Sequence, residues 1–430
     1  MRKKGWLILI LSCLVLLGGC KKNQTTSKTL TIVLSGLQQP NEKTFFRTFV
    51  RLFEAEHGIK VDVIYESPDV LFTNIDQQYK NNAVTTDVIM VDSARMSQYL
   101  TSNYLVDLDW LDLETDRTFT TMFDAYTHLG GYRYFAPISM DVYLTLFNKE
   151  ALPYIPPTVE VTKNDADEII RVNRISWQDL AIWAKTIKTE TGTARFGFPY
   201  GNVSSQLIYS ITGMGLSMGE HTLPAFSDEG AVRAWAYLLD LKQTGALAYG
   251  PAFAGLTQPT ELLNANQLWM SFGHMGPLGS SYNTSPNKYV LGPIPIDETS
   301  EHGGTTAGAW GYGIIKNSKN QAAARAWVKF ITDPEINYLY CSGLGGVISP
   351  IKEVINHLGA SNTDQIMRMG LLMLDQTIHV KVVNTSAYSD WNAVKLLYNS
   401  LYQKLLDDEL IDSTTFHQYQ VQLNTLKKTP

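Results

Sequence analysis

Asp92, Asp141 and Asp390 are the carboxylates whose settings in the sequence invite a chemical reading. Two carboxylic acids are enough to hydrolyse a glycoside, one as acid and the other as base or nucleophile. Asp141 is one candidate and Asp92 or Asp390 the second, but nothing in the sequence pairs them in space or marks acid from base. Other catalytic signatures are missing: HExxH, CxxC, GxSxG, GxxxxGK[ST], and GxGxxG opening a helix after a strand. The eight histidines are scattered, with no pair at metal-ligand spacing. The acidic run "DLDWLDLETD" at 107–116 lacks the central glycine and closing glutamate of a calcium loop and reads as a solvated helix entry. No metal, cofactor or catalytic group is expected.

Bulk properties narrow the class further. At 430 residues the chain exceeds the roughly 250–300 at which one hydrophobic core stops growing, so two lobes or domains are expected. With 44% hydrophobic residues, 18% charged and no long single-sign block, the body is neither a disordered tail nor a nucleic-acid binder. Residues 1–19 stand apart. Arg2, Lys3 and Lys4 precede "WLILILSCLVLL", an apolar run too short to span a bilayer comfortably, which marks an export signal. Its end, Leu17-Gly18-Gly19-Cys20, resembles the bacterial lipobox, which implies cleavage before a lipid-modified Cys20 and a body outside the cytoplasm; an uncleaved anchor is the alternative. Residues 20–28 would then form a lipid-anchored tether. Two acyl chains anchor stably where one does not. Without Arg2, Lys3 and Lys4 the chain has 32 basic and 41 acidic residues, a net −9, so attraction to anionic lipid would not hold it. Cys341 is left alone, excluding an intramolecular disulfide in the mature chain; it reads as a small buried apolar residue.

From Lys28 onward strand and helix alternate. "TLTIVLS", "IKVDVIYE" and "DVIMV" read as strands; "NEKTFFRTFVRLFEAEHG" and "VLFTNIDQQYK" read as helices, the first with Phe45, Phe46, Phe49, Leu52 and Phe53 on one stripe. This succession predicts a mainly parallel sheet covered on both faces, with ligands beyond the carboxyl ends of its strands. "YRYFAPISMDVYLTLFNK" breaks the rhythm, since Ser139 to Asp141 interrupts two apolar segments, and is read as a crossing between lobes. A charged insertion follows over 158–175, and Ser176 with Asp179 forms a near-capping-box before the helix "SWQDLAIWAKTIKTETG".

Three segments in order resemble the bacterial family 1 extracellular solute-binding proteins, the maltose-binding-like receptors of sugar ABC importers. They are "GYRYFAPISMDVYLTLFNKEALP", "SWQDLAIWAKTI" and "GYGIIKNSKNQAAARAWVKFITDPE". The resemblance runs from about residue 30 to 425. It implies an α/β, two-lobed periplasmic-binding-protein-like fold in which each lobe is a mainly parallel sheet flanked by helices. By analogy, residues 28–139 and 300–346 make the N-terminal lobe, and 140–299 with 347–430 the C-terminal lobe. The implied function is a lipid-anchored receptor on the outer face of the cell membrane. It would bind a carbohydrate, deliver it to ABC permease subunits and act as a monomer. A secreted glycoside-active enzyme and an anchored glycan-binding adhesion protein are the alternatives from other classes.

A sugar presents apolar C–H faces and a rim of hydroxyls, so its site needs aromatic platforms and groups that donate and accept hydrogen bonds. The resemblance places an acidic ligand-binding residue at Asp141, with an exposed hinge aspartate as the alternative. In "SDWNAVK" it places a stacking Trp391 and, one helical turn on, a basic Lys395; the alternative is a core tryptophan and a solvated lysine. Arg95 aligns with a basic cleft residue. Asp92 and Ser93 lie past the carboxyl end of a strand, where they face the crevice or cap the next helix. Asn202 and Gln206 in "NVSSQ" stand where the family presents cleft residues, without its aromatics. In "SFGHMGPLGSS", Met275 and Leu278 occupy a place where the family favours tryptophan, which argues against a maltose-like stack there. Trp310 is expected to compensate as a platform, with Gly308 and Gly311 clearing its surroundings; interlobe packing is the alternative.

Overall fold

The computed structural model describes residues 29–38, 40–201, 207–219, 223–299, 301–374, 381–382 and 387–428. Cys20 and the leader lie outside them, as do Asn202 and Gln206. Among the described residues no helix is long and apolar enough to cross a membrane.

The first half follows from alternation. Strands β1 (Leu30–Leu34), β2 (Val61–Tyr65) and β3 (Val88–Asp92) form a parallel ladder in the order β2-β1-β3. Successive side chains of a strand point to opposite faces. Ile32 and Leu34 of β1 and Met90 of β3 accordingly join one core, while Val33, Ile89 and Val91 join another. Helix α1 (Pro40–His57) covers the first face, burying Phe46, Phe49, Val50 and Phe53 at spacings of three and four. Phe46 and Phe53 meet Trp327 edge-on at 5.8 and 5.1 Å. Leu52, expected on that stripe, is exposed, and Val50 takes the inward place. Helices α2 (Pro68–Lys80) and α3 (Ser93–Ser102) cover the second face through Leu71, Ile75, Met96 and Tyr99.

Short segments lead to the crossing: α4 (Asp124–Thr127) and the hairpin β4 (His128–Leu129) and β5 (Tyr132–Arg133). The segment read as two apolar pieces around an interruption is one continuous strand, β6 (Ala136–Asn148). Its first part, to Val142, pairs with β14 (Ala307–Ile314), which in turn pairs with β3. From Tyr143 onward it pairs with β11 (Met270–His274), and from Thr145 also with β12 (Tyr289–Gly292). The strand runs uninterrupted because Ser139 and Asp141, two apart, share one face.

The charged insertion proves to be a hairpin, β7 (Glu160–Lys163) with β8 (Ile169–Arg174), added at the edge beside β12. Ser176 and Asp179 form the complete reciprocal cap of α5 (Trp177–Thr191). Strands β9 (Phe196–Gly197) and β10 (Leu247–Ala248) extend the sheet beyond β11. The helices of this half are α6 (Leu207–Met218), α7 (Glu229–Gln243), α8 (Thr260–Asn264) and α9 (Met275–Thr284). Strand β13 (Gly304–Thr305) pairs with β15 (Lys381–Val382). Five helices complete the chain around these strands: α10 (Gln321–Ile331), α11 (Pro334–Gly343), α12 (Lys352–Asn356), α13 (Asn362–Leu374) and α14 (Trp391–Leu406). The terminal helix is α15 (Ser413–Thr425). Cys341 of α11 is fully buried, and burial pushes its thiol well above the ordinary range.

Helix α6 buries Leu207, Ile208, Ile211 and Met214 in the core and also approaches its neighbours backbone to backbone. A Cβ on Gly230 of α7 would stand 2.2 Å from the Gly215 carbonyl, and one on Gly213 would stand 2.5 Å from that of Gly304. Glycine is required at both because no side-chain atom fits. Gly230→Ala is expected to push α6 from α7 and cost about 1–3 kcal/mol, read as a lower urea midpoint with an unchanged slope.

Candidate functional site

Asp141 stands one residue before β6 exchanges its pairing partners. Its Oδ1 accepts from the Met275 amide at 2.8 Å and lies 3.4 Å from His274 Nδ1; Oδ2 carries only a long bond from the Gly276 amide, 3.4 Å. The carboxylate therefore sits on the N-terminal end of α9, where unsatisfied amides and the helix dipole favour an anion. It is neither an exposed hinge residue nor free, but it is not sealed, with about a fifth of its side chain accessible.

A cavity of about 440 Å³ opens beside it. Trp310, Phe45, Asn41 and Glu42 line it from the β1–β3 side, and Asn264, Ser280 and Ser281 from the α8–α9 side. Trp310 is half-buried, and what makes room for its ring is Gly36: a Cβ there would come within 2.8 Å of the indole. This corrects the expectation for Gly308 and Gly311. Gly308 borders open space, whereas a Cβ on Gly311 would meet Met96 and Phe135 in the core, away from the indole. Met275 and Leu278 are fully buried, so that stretch offers the cavity no platform.

The remaining expected residues gather in an adjoining cluster. Trp391 opens α14 and donates its Nε1–H to Tyr209 Oη at 2.9 Å, with the two rings stacked 6.0 Å apart at 29°. Lys395, one turn on, holds its ammonium 5.6 Å from the centre of the Tyr209 ring. Asp92 caps α3 through the Ala94 amide at 2.9 Å, and Ser93 Oγ accepts from the Ala309 amide at 3.2 Å. Arg95 pairs with Asp69 at 2.8 Å. Burial raises the Asp92 carboxyl above its ordinary range, against the pull of Arg95 and the cap amides. Burial likewise lowers the Lys395 ammonium, with Asp92 opposing. Asp390, the other carboxylate considered, is an exposed cap of α14 through Ala393.

Cavity and cluster are connected. Trp310 is the register partner of Asp92 across β14 and β3. On the other side Tyr209 meets His274 at 5.8 Å, Tyr143 meets His274 at 4.7 Å, and His274 touches Asp141. Burial pushes the Tyr209 hydroxyl up to about 12, with the Trp391 hydrogen bond working the other way. Tyr209, His274 and Glu42 were not singled out from the sequence. The available signals were slight: a polar residue ending the apolar strand "WMSFGH", and a tyrosine opening the otherwise aliphatic "LIYSITGMG". A second cavity of about 480 Å³ lies against Pro224, Asp228, Gln420 and Lys427, with no aromatic wall among the described residues. Gln420 is already committed there to the Phe226 and Ser227 amides. Among the described residues no group of three or more acidic, histidine or cysteine side chains is placed to hold a metal.

Two sheet-and-helix halves joined through a common strand, with polar and aromatic groups collected beside the join, define a two-lobed binding-protein fold. Residues 28–338 match the sequence profile of the bacterial extracellular solute-binding proteins, and the chain belongs to that family. Its members bind solutes and are not enzymes, which removes the glycosidase alternative. Solved structures similar to this chain include the GacH receptor of Streptomyces glaucescens, solved unliganded and with acarbose. It is 18% identical over 93% of this chain and 98% of that one, with a TM-score of 0.68. An ABC substrate-binding protein of Listeria monocytogenes in complex with cycloalternan is 17% identical over 92% and 98%, TM-score 0.68. UgpB of Mycobacterium tuberculosis in complex with glycerophosphocholine is 15% identical over 93% and 98%, TM-score 0.69.

The Lys395 ammonium is held at a desolvation cost, so its removal should not weaken the unliganded protein. A base whose folded pKa is depressed binds fewer protons folded than unfolded between its folded and its ordinary value. The penalty is therefore complete at neutral pH and fades as pH rises toward the ordinary lysine range. Lys395→Met is expected to leave unliganded stability at pH 7 unchanged or higher by up to ~1 kcal/mol, with the gain shrinking in alkaline buffer; thermal unfolding across pH reads this.

Proposed function

We propose that this chain is the lipid-anchored receptor of a carbohydrate ABC importer, held on the outer face of the cell membrane through Cys20. In this reading it captures an oligosaccharide between its lobes and passes it to the permease subunits, acting as a monomer. The lobes are 28–139 with 300–346, and 140–299 with 347–430. The observation that carries the reading is the cavity that Asp141 and Trp310 share, a carboxylate on β6 and an indole on the neighbouring β14 lining one space. The family supports solute capture. The sugars in the GacH and Listeria structures, acarbose and cycloalternan, support the carbohydrate class. Trp391, Lys395, Arg95, Asp92 and Ser93 are assigned to a continuation of the site, together with Tyr209; Asn202 and Gln206 remain assigned to it on the family pattern alone.

The energetics suit a receptor that must release its cargo. Micromolar affinity corresponds to about −8 kcal/mol. A few charge-assisted hydrogen bonds at about 1.5–3 kcal/mol each, with stacking on indole, reach that level after ordering costs.

Screening the purified protein by thermal shift and intrinsic fluorescence against mono- and oligosaccharides tests the reading; a sugar that stabilises and is recovered unaltered supports it. Because Asp141 also caps α9, the informative change is Asp141→Asn, which keeps the cap but loses the charge. It should weaken binding about 10–100-fold with little change in the unliganded melting temperature. Trp391→Ala should likewise remove the ligand-induced shift. Stability loss with binding spared in both variants would place these residues in the core instead. For the anchor, Cys20→Ser is expected to move the protein from the membrane fraction to the medium or periplasm.

A further inference from the structure

Trp310 and Phe45 both line the cleft cavity, and each of these rings lies against a glycine. The indole rests on Gly36, where a Cβ would stand 2.8 Å from both Cη2 and Cζ3 of Trp310 and 3.1 Å from Met90 Cε. The Phe45 ring rests on Gly343, the last residue of α11, where a Cβ would overlap Cε2 and Cζ. Neither glycine has a positive φ. Their backbone conformations would therefore accept alanine, and it is the neighbouring rings that exclude a side chain.

The rings have no room to retreat into the core. Phe45 is backed by Phe49, edge-on at 5.1 Å, and by Tyr340, tilted at 6.1 Å, both of them buried. The Tyr340 hydroxyl donates to Met90 Sδ at 3.9 Å, and Met90 in turn borders Gly36. One packed wall thus runs from one glycine to the other. A methyl group added at either end would overfill it. The open space left for a displaced ring is the cavity that both rings line.

Resting on the reading of this cavity as the solute site, we propose that Gly36 and Gly343 are specificity-determining positions. By letting Trp310 and Phe45 lie back against the backbone, they give the cavity the width to take a guest larger than one sugar ring. Its volume of about 440 Å³ falls within the range of pockets that enclose drug-sized ligands. A side chain at either position pushes a ring into that space and narrows the site toward monosaccharides.

The test is calorimetric titration of glucose and mannose against maltotriose, cellotriose and mannotriose; a tighter oligosaccharide from the wider screen takes the trisaccharide's place. The unaltered protein should prefer the longer sugar. Gly36→Ala and Gly343→Ala should each weaken the longer sugar about tenfold or more and the monosaccharide far less. Trp310→Phe removes the atoms that a methyl group at Gly36 would strike, and Phe45→Leu those at Gly343. In those backgrounds each alanine should cost little further, a non-additivity that a general loss of stability would not produce. Equal losses for both sizes of sugar, or losses undiminished in those backgrounds, would overturn the inference and leave the carbohydrate receptor standing. So would a monosaccharide that binds the unaltered protein as tightly as the longer sugar. If no sugar binds, the carbohydrate reading falls and takes this inference with it.

Discussion

The whole arrangement depends on a single backbone ladder shared by two halves. Strand β6 is bonded to β14 up to Val142 and to β11 from Tyr143, so the two sheets are one sheet at this crossing. The larger core cluster runs through both halves, taking in Phe46 and Phe53 as well as Trp177 and Trp183. Asp141 sits beside this exchange of partners and binds the N-terminus of α9. A charge bound to the strand and the helix at once fixes where α9 begins. It also fixes Ser280 and Ser281, which α9 carries to the cavity wall.

The aromatic chain from Trp391 through Tyr209 to His274 and Asp141 extends this constraint across the second half. Its middle member rides on α6, and α6 is fixed by glycine-to-glycine backbone contact at Gly215 and Gly230 and at Gly213 and Gly304. Contacts of this kind have no rotamers to adjust, so they place Tyr209 firmly. The polar groups beside it are held less comfortably. Asp92 and Lys395 are each shifted by burial toward their neutral forms, with only partial compensation. Groups perturbed in this way cluster at functional sites.

Much of the framework was legible because it obeys simple periods. Ile32, Val33 and Leu34 alternate between two cores as the period of a strand demands, and Ser176 with Asp179 announces α5 through a local hydrogen-bond pattern. The failures share a cause: one-dimensional polarity does not say which face a polar residue occupies. Ser139 and Asp141 looked like a break in a strand, whereas they are the cleft-facing positions of an unbroken one. The charged run from Thr158 to Ile175 carries an edge hairpin, which its polarity alone did not announce, because an edge strand can bear charge without losing its ladder. Leu52 was placed inward by its position on a coarse stripe, and the sharper 3,4 spacing of Phe46, Phe49, Val50 and Phe53 leaves it outside. Of the residues proposed for the site, Asp141 and Trp391 come from the sequence pattern around them, and Tyr209 and His274 from contacts between distant segments.

Trp310 shows how local irregularity serves the site. Its register partner on β6 is Ser139, while the next residue, Gly311, pairs with Pro137, so β6 carries one extra residue, Ile138, at this point. Pro137 lacks an amide hydrogen and is poorly suited to the interior of a ladder, and a bulge is where a sheet accommodates it. Bulges also bend the strand and re-aim the side chains beside them. The indole lies over Gly36, on the loop after β1, partly exposed and packed against the same core that Tyr312, two residues on, joins. The glycines that flank Trp310 in the sequence serve other ends. Gly311 admits Met96 and Phe135 behind the sheet and Gly308 leaves open space, so the ring owes its position to a bulge and to a glycine far away in the chain.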